Sequence, residues 1–390
     1  MKGTKHIAVA AERASAYGRN FICGVAEIAE QRPEWDLSLI DPGAASEKAS
    51  VGNDGWICRV TDKRMANALK RSGCPVVDCL CAVETPGFAF VKTDADRIGQ
   101  LAAEHFLSRH FTNLAFCGYR RIAFSDRRRN AFARFLESRG ITPAIYRPPL
   151  RSTHKFGRDF LLGIRVESPP DADDLAVWLK HLPKPVGVFC CDDVRASQVM
   201  LLCKSARLSV PDDVAILGVD DDPIYCMFST PRLSSIDPDA TAIGRAAALT
   251  LAEMMDDAGK AVNPPHLTIP PNCIVEREST NIYPNAPRWF ADAISFIREN
   301  AAKGISASDV FRHVGFSRTL VERTFRECGS ASVQKLIAET RINEAKRLLD
   351  STSLPIKDVA SRSGFSTLEY LSRAFAAATG VSPSAWRERE

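Results

Sequence analysis

Short apolar runs rich in β-branched and aromatic residues alternate with longer stretches of helical periodicity along the first 280 residues. The runs are HIAVAA (6–11), DLSLI (36–40), GWICRV (55–60), PVVDCL (75–80), AFVKT (89–93), NLAFCGY (113–119), VGVFCC (186–191) and VAILGV (214–219). Amphipathic stretches such as NFICGVAEIAEQ and RIGQLAAEHFLSRH lie between them. Apolar strands separated by helices predict parallel sheets covered on both faces. Strands on either side of residue 110 predict two α/β lobes. The short strands LSSID (233–237) and CIVERES (273–279) are expected as crossovers, giving one lobe of 1–110 with 233–262 and another of 111–232 with 263–280.

The Pro-rich, uncharged stretch NIYPNAP (281–287) reads as a linker. Beyond it, residues 288–390 carry only helical periodicity, broken at Gly315, Gly329, Pro355, Gly364 and Gly380. They predict a separate all-α domain with an internal duplication. SASDVFRHVGFSRTLVERTFRECG (306–329) and PIKDVASRSGFSTLEYLSRAFAAATG (355–380) share one plan: a short helix, a Gly-Phe-Ser turn, and a longer helix ending at glycine. Ser317 and Ser366 are expected as N-caps, Gly315 and Gly364 as turn residues, Gly329 and Gly380 as helix stops. Periodicity places Val321, Phe325 and Cys328 inward in the first long helix, and Leu368, Leu371, Phe375 and Ala378 inward in the second. SVQKLIAETRINEAKRLLDS (332–351) predicts a long helix between the two units.

Charge sharpens this division. Residues 288–390 hold 16 Lys and Arg against 12 Asp and Glu, while the rest of the chain is balanced at 35 of each. The whole formal excess of +4 therefore sits in the helical part, which fits a polyanion partner. Arg318, Thr319, Glu322, Arg323 and Arg326, with Leu368, Glu369, Ser372 and Arg373, are the candidates for DNA contact. Arg can pair with guanine O6 and N7, and Glu can accept from cytosine N4.

IKDVASRSGFSTLEYLSRAFAAATGVSPSAWR (356–387) resembles the DNA-binding signature of the AraC/XylS family. Val359, Ala360, Gly364, Phe365, Arg373, Phe375, Gly380, Ser382, Pro383, Trp386 and Arg387 fall on its pattern, and RINEAKRLL (341–349) is similar to the family's linker helix. The resemblance implies two helix-turn-helix units and a double-stranded DNA operator.

The N-terminal part lacks a P-loop, HExxH, GxSxG or GxGxxG, and its histidines are scattered. No metal, no cofactor and no catalytic residue is expected. Of the twelve cysteines none forms a CxxC, and Cys79, Cys81, Cys190 and Cys191 read as small buried hydrophobes. No 18-residue apolar run exists, and MKGTKHIAVAA does not read as a signal peptide, so a cytoplasmic setting is expected. Acids gather instead at strand ends: Asp94, Asp192 and Asp193, and Asp220 to Asp222. Ligands of α/β lobes bind beyond the carboxyl ends of strands, although such acids also serve as helix caps.

FCCDDVRASQVMLLCKSARLSVPDDVAILGVDDDPI (189–224) and RRRNAF (127–132) resemble the LacI/GalR and periplasmic sugar-binding fold. The resemblance implies a type I, two-lobed periplasmic-binding-protein-like domain over 1–280. It places Arg128, Asp193, Asp220 and Asp221 at the effector. The order of the two domains, with Tyr17-Gly18-Arg19, Gly24-Val25 and Glu34-Trp35-Asp36, is similar to the group of xylose-responsive regulators. That likeness implies a homodimeric activator responding to D-xylose or another sugar, with Glu12 and Tyr17 at the pocket rim. Glu12 and Arg13 stand where small polar residues are expected in a xylose sensor, which leaves a different sugar or a sugar acid open. A sugar-processing enzyme with an appended helical domain is the alternative of a different class.

Overall fold

A computed structural model describes residues 4–49, 52–149, 169–256, 264–284, 286–328 and 330–388. Gly329, expected as a helix stop, lies outside the described residues. The chain forms two compact units, residues 1–280 and 281–390.

The first unit holds two six-stranded sheets. One is built from β1 (Lys5–Ala10), β2 (Trp35–Ile40), β3 (Gly55–Cys58), β4 (Val76–Asp78), β5 (Ala89–Thr93) and β11 (His266–Ile269), in the order β11-β5-β4-β3-β1-β2, all parallel. The other contains β6 (Asn113–Cys117), β7 (Ala144–Ile145), β8 (Val186–Cys190), β9 (Val214–Val219), β10 (Ser234–Ile236) and β12 (Ile274–Val275), in the order β12-β10-β9-β8-β6-β7. Only the β10–β12 pair in it is antiparallel. The central strands β3, β8 and β9 are buried along their whole length, as continuous apolar runs require when both sheet faces are covered.

The passages between lobes differ from the expected ones. β10, expected in the first lobe, adds to β9 in the second sheet, and β11, expected in the second, adds to β5 in the first. Helix α4 (Ala95–Leu107) belongs to the second lobe, with Phe106 packed over Gly187 of β8 and Gly99 against Ala131 and Phe132. The chain thus crosses near residue 94, not 110. Neither Ala144–Ile145 nor His266–Ile269 was expected as a strand. β7 has two residues, and β11 is largely exposed at an edge, so neither leaves a strong apolar signature.

Helices cover the sheets. Asp62 caps α3 (Lys63–Ser72) by accepting from Met65 N at 2.9 Å, and Met65, Ala66 and Leu69 pack with Trp56. On the opposite face, α1 (Ala16–Ala29) crosses α9 (Ala240–Asp256). Between them α5 (Ala123–Glu137), α6 (Ala172–His181), α7 (Asp193–Ser205) and α8 (Pro223–Phe228) serve the second lobe, and α2 (Ala45–Lys48) the first. The α1–α9 crossing is close enough that side chains are excluded at its centre. A Cβ on Gly24 would lie 2.0 Å from Thr241 O, and one on Gly244 would lie 2.1 Å from Phe21 O.

The second unit is all-helical among the described residues. Its helices are α10 (Arg288–Asn300), α11 (Ala307–Val314), α12 (Arg318–Glu327), α13 (Val333–Ser351), α14 (Ile356–Arg362), α15 (Leu368–Thr379) and α16 (Pro383–Arg387). Two small cores hold it together. Phe290, Ile297, Val310, Val321 and Phe325 form one, and Ala345, Leu349, Val359, Leu371 and Phe375 the other, with α13 contributing to both.

Replacing Gly244 with Ala is expected to destabilise the first unit by about 2 kcal/mol or more, because the intruding carbon meets backbone that cannot rotate away. Gly52→Ala, whose Cβ meets open space, should stay within about 0.5 kcal/mol of wild type. Urea unfolding of the two variants side by side checks the difference.

Candidate functional site

Strand ends from both lobes meet at one cavity. It is lined by Glu12 beyond β1, Arg59 beyond β3, Cys79 and Leu80 beyond β4, Lys92 and Thr93 of β5, and Asp220 beyond β9. Ser15 and Tyr17 enter from the start of α1, and Phe124, Arg127 and Arg128 from α5. Such a convergence places polar groups from separate strands on one ligand.

Its charges are already partly organised. Arg59 donates to Glu12 and lies over the Tyr17 ring, 4.7 Å from the centroid. Arg128 donates to Cys191 O, and its Nη2 stands 3.5 Å from Asp220 Oδ1. Burial pushes the Asp220 carboxyl up to about 7 against the pull of Arg128. Burial likewise lowers Arg59 to about 10 and raises the Tyr17 phenol, whose hydroxyl lies 3.4 Å from Thr93 Oγ1. Below the floor, Asp78 accepts from Val60 N, Leu80 N and Cys81 N, and burial nevertheless lifts it to about 6.

Of the six expected ligand residues, Glu12, Tyr17, Arg128 and Asp220 line this cavity. Asp193 and Asp221 do not. Asp193 is 1 % exposed and accepts from Ser235 Oγ at 2.6 Å and Asp222 N at 2.8 Å. Asp221 pairs with Arg277 at 2.8 Å. Both brace the acidic turn, because the chain reverses there with positive φ at Asp220 and Asp221, turning alternate carboxylates away from the cavity. Asp94 and Asp192 cap α4 and α7. Asp222 caps α8 and also accepts from Ala16 N at 2.9 Å, tying the second lobe to the first helix of the other. Arg59, Lys92, Thr93 and Arg127 were missed, although the strand-end rule that found the acids applies to the first three. Arg127 donates to Leu80 O and Cys81 O, a second tie between the lobes.

In the second unit the duplicated plan is visible residue by residue. Ser317 caps α12 by accepting from Leu320 N, and Gly315 has φ +74°. In the second copy the cap is Thr367, not Ser366, and it accepts from Tyr370 N at 3.1 Å. One more residue separates Gly364 from its cap than separates Gly315 from Ser317. Aligned on the caps, Val321 and Phe325 match Leu371 and Phe375, all buried. Leu368, expected inside, is the first residue after the cap and is 38 % exposed, and Ala378 in the last turn is exposed too. Arg318, Thr319, Arg323 and Arg326 are exposed and Glu322 half-buried on α12; Leu368, Glu369 and Arg373 are exposed and Ser372 half-buried on α15.

Comparison with known proteins agrees with this architecture. Residues 103–280 match the periplasmic binding protein-like domain and residues 310–389 a helix-turn-helix domain. The chain is 25 % identical over 389 residues to the xylose operon regulatory protein of Escherichia coli K12, covering 96 % of this chain and 94 % of that protein. It is 23 % identical over 384 residues to the xylose operon regulatory protein of Haemophilus influenzae. The fold matches a structure described as the xylose-binding transcription activator XylR, with a TM-score of 0.61 and 23 % identity over 99 % of this chain and 98 % of that one. A LacI family regulator from Enterococcus faecium with bound ribose matches 71 % of the chain with a TM-score of 0.55 and 20 % identity. The chain is thus a sugar-responsive, DNA-binding transcription regulator with an AraC-type helix-turn-helix domain and a periplasmic-binding-protein-like sensor. It is similar over nearly their whole length to the xylose operon regulatory proteins of Escherichia coli and Haemophilus influenzae.

No helix among the described residues is long and apolar enough to cross a membrane.

The raised Asp220 carboxyl binds its proton more tightly when folded than when unfolded. Its contribution to stability is therefore complete below its ordinary value of 3.8 and lost as pH rises to about 7. Thermal unfolding of wild type and Asp220→Asn across pH 4 to 8 checks this. Wild type should lose stability relative to the variant up to about pH 7 and run parallel above it.

Proposed function

We propose that this regulator works in the cytoplasm as a homodimer and activates a sugar-utilisation operon. The effector occupies the inter-lobe cavity, where Arg128, Asp220 and Tyr17 read its hydroxyls and Glu12, paired with Arg59, shapes the rim. Asp193 and Asp221 act one step back, by holding the turn that aims Asp220. D-xylose is the first compound to test, because the relatives of full length are named for it. The observation that carries this reading is the convergence of charged strand-end residues from both lobes on a single cavity.

A sugar that prefers one arrangement of the lobes shifts the population toward it; a switch from mostly off to mostly on needs a differential affinity of about 5 kcal/mol. The bonds from Asp222 to Ala16 N and from Arg127 to Leu80 O and Cys81 O are those that opening must break. On DNA, Arg318, Thr319, Glu322, Arg323 and Arg326 of α12 face one major-groove segment, and Leu368, Glu369, Ser372 and Arg373 of α15 the next. No turnover is proposed; the relatives are named as regulators.

A thermal-shift panel of pentoses and hexoses tests the sensor. An effector at a hundredfold excess over its Kd adds about 2.7 kcal/mol of stability, and Arg128→Ala should abolish the shift. A shift retained in Arg128→Ala would remove the cavity from the mechanism.

On operator DNA, Arg323→Ala is expected to weaken binding about 10- to 100-fold, the loss of one charged base or phosphate contact. Fluorescence anisotropy at several salt concentrations checks it. A phosphate contact lowers the salt slope by about one, and a base contact leaves it unchanged while relaxing sequence preference.

A further inference from the structure

We infer that the effector of this cavity carries a negative charge on a sugar-sized polyol, as a carboxylate or a phosphate, and that Lys92 with Arg127 receives it. The inference rests on the proposal that the cavity holds a sugar-class ligand, and it narrows that class.

A neutral sugar is held chiefly by carboxylates and amides that accept from its hydroxyls, with arginines donating to the ring oxygen and remaining hydroxyls. Here the two carboxylates that line the cavity, Glu12 and Asp220, both have an arginine beside them. The Glu12–Arg59 pair is largely removed from solvent, at 12 % and 13 % side-chain exposure, so neither partner swings away cheaply to meet a hydroxyl. Asp78, below the floor, is taken up by three backbone N–H groups.

The remaining charged groups of the lining are both cationic. Arg127 donates only to the carbonyls of Leu80 and Cys81, and Lys92 has no carboxylate within 4.0 Å among the described residues. The lining therefore holds four cations, Arg59, Lys92, Arg127 and Arg128, against two anions. Lys92 and Arg127 also border the neighbouring groove, whose acids are Asp94, Asp96 and Glu137. Arg134 takes Asp96 and Asp94 caps α4, and among the described residues none of the three forms an ion pair with Lys92 or Arg127. Two partly desolvated cations without a direct ion-pair partner attract an anion, and the charge-assisted bonds they offer are about twice as strong as neutral ones. Thr93, beside Lys92 on the same strand end, can donate a further hydroxyl.

Isothermal titration calorimetry on the full chain tests this with D-xylose, D-xylonate and D-xylose 5-phosphate. One of the two anions is expected to bind at least about tenfold more tightly than D-xylose, equivalent to about 1.4 kcal/mol, and whichever does so distinguishes carboxylate from phosphate. Lys92→Gln should remove most of that preference, and Lys92→Arg should retain it. D-xylose binding as tightly as both anions overturns the inference and leaves the sugar-sensing reading intact. An anion preference unchanged in Lys92→Gln overturns the assignment of the receiving residue. No heat from any of the three overturns the inference, and the sugar-sensing reading is then decided by the thermal-shift panel.

Discussion

A single buried carboxyl group, that of Asp193, shapes much of the sensor. It sits at the start of α7, and burial raises its proton affinity well above that of an ordinary carboxylate. Burying such a group is tolerable only where donors meet it. Ser235 Oγ and Asp222 N supply them from two different chain segments. Gly218 leaves the necessary space, since a Cβ there would lie 2.0 Å from the Asp193 carboxylate. With Asp193 in place, the chain after β9 can turn through two residues of positive φ. That turn sends Asp220 into the cavity, Asp221 onto Arg277 and Asp222 across to the N-terminus of α1. The cavity wall, the Asp221–Arg277 pair and the tie between the lobes are three outcomes of one turn.

Much of this was legible in the sequence, for reasons that can be named. Long runs of apolar residues marked the strands buried on both faces, such as VAILGV, and the helical period marked the C-terminal domain. Strand ends marked the cavity, because parallel strands deliver their next residues to one edge of the sheet. Three things escaped. Edge strands such as β11 are too exposed to carry an apolar signature. The partners of a charged residue cannot be read from its position. Asp193 looked like a ligand because it stands beside a strand end, yet its partners belong to the protein itself. Arg195, fully buried against Asp171 at 2.6 Å and between the rings of Tyr119 and Tyr146, gave no sign of that role. Finally, one extra residue after Gly364 moved the cap from Ser366 to Thr367, so that Leu368 opens the helix at an exposed position while Leu371 and Phe375 stay inside.

The same extra residue bears on how the two copies of the helix-turn-helix differ. Their interiors are nearly interchangeable once the caps are aligned: Val321 with Leu371, Phe325 with Phe375. Their outward faces are not. Arg318 faces Leu368, Thr319 faces Glu369, Glu322 faces Ser372, and Arg326 faces Ala376 across the alignment, leaving Arg323 and Arg373 as the shared cation.

A duplicated scaffold with two unlike surfaces has a head and a tail. One copy presents three arginines and the other one, with a leucine and a tyrosine exposed beside it. If these faces meet DNA as proposed, a single chain has one favourable sense along a duplex. Orientation relative to a promoter then becomes a property encoded within one polypeptide, before any second subunit is added.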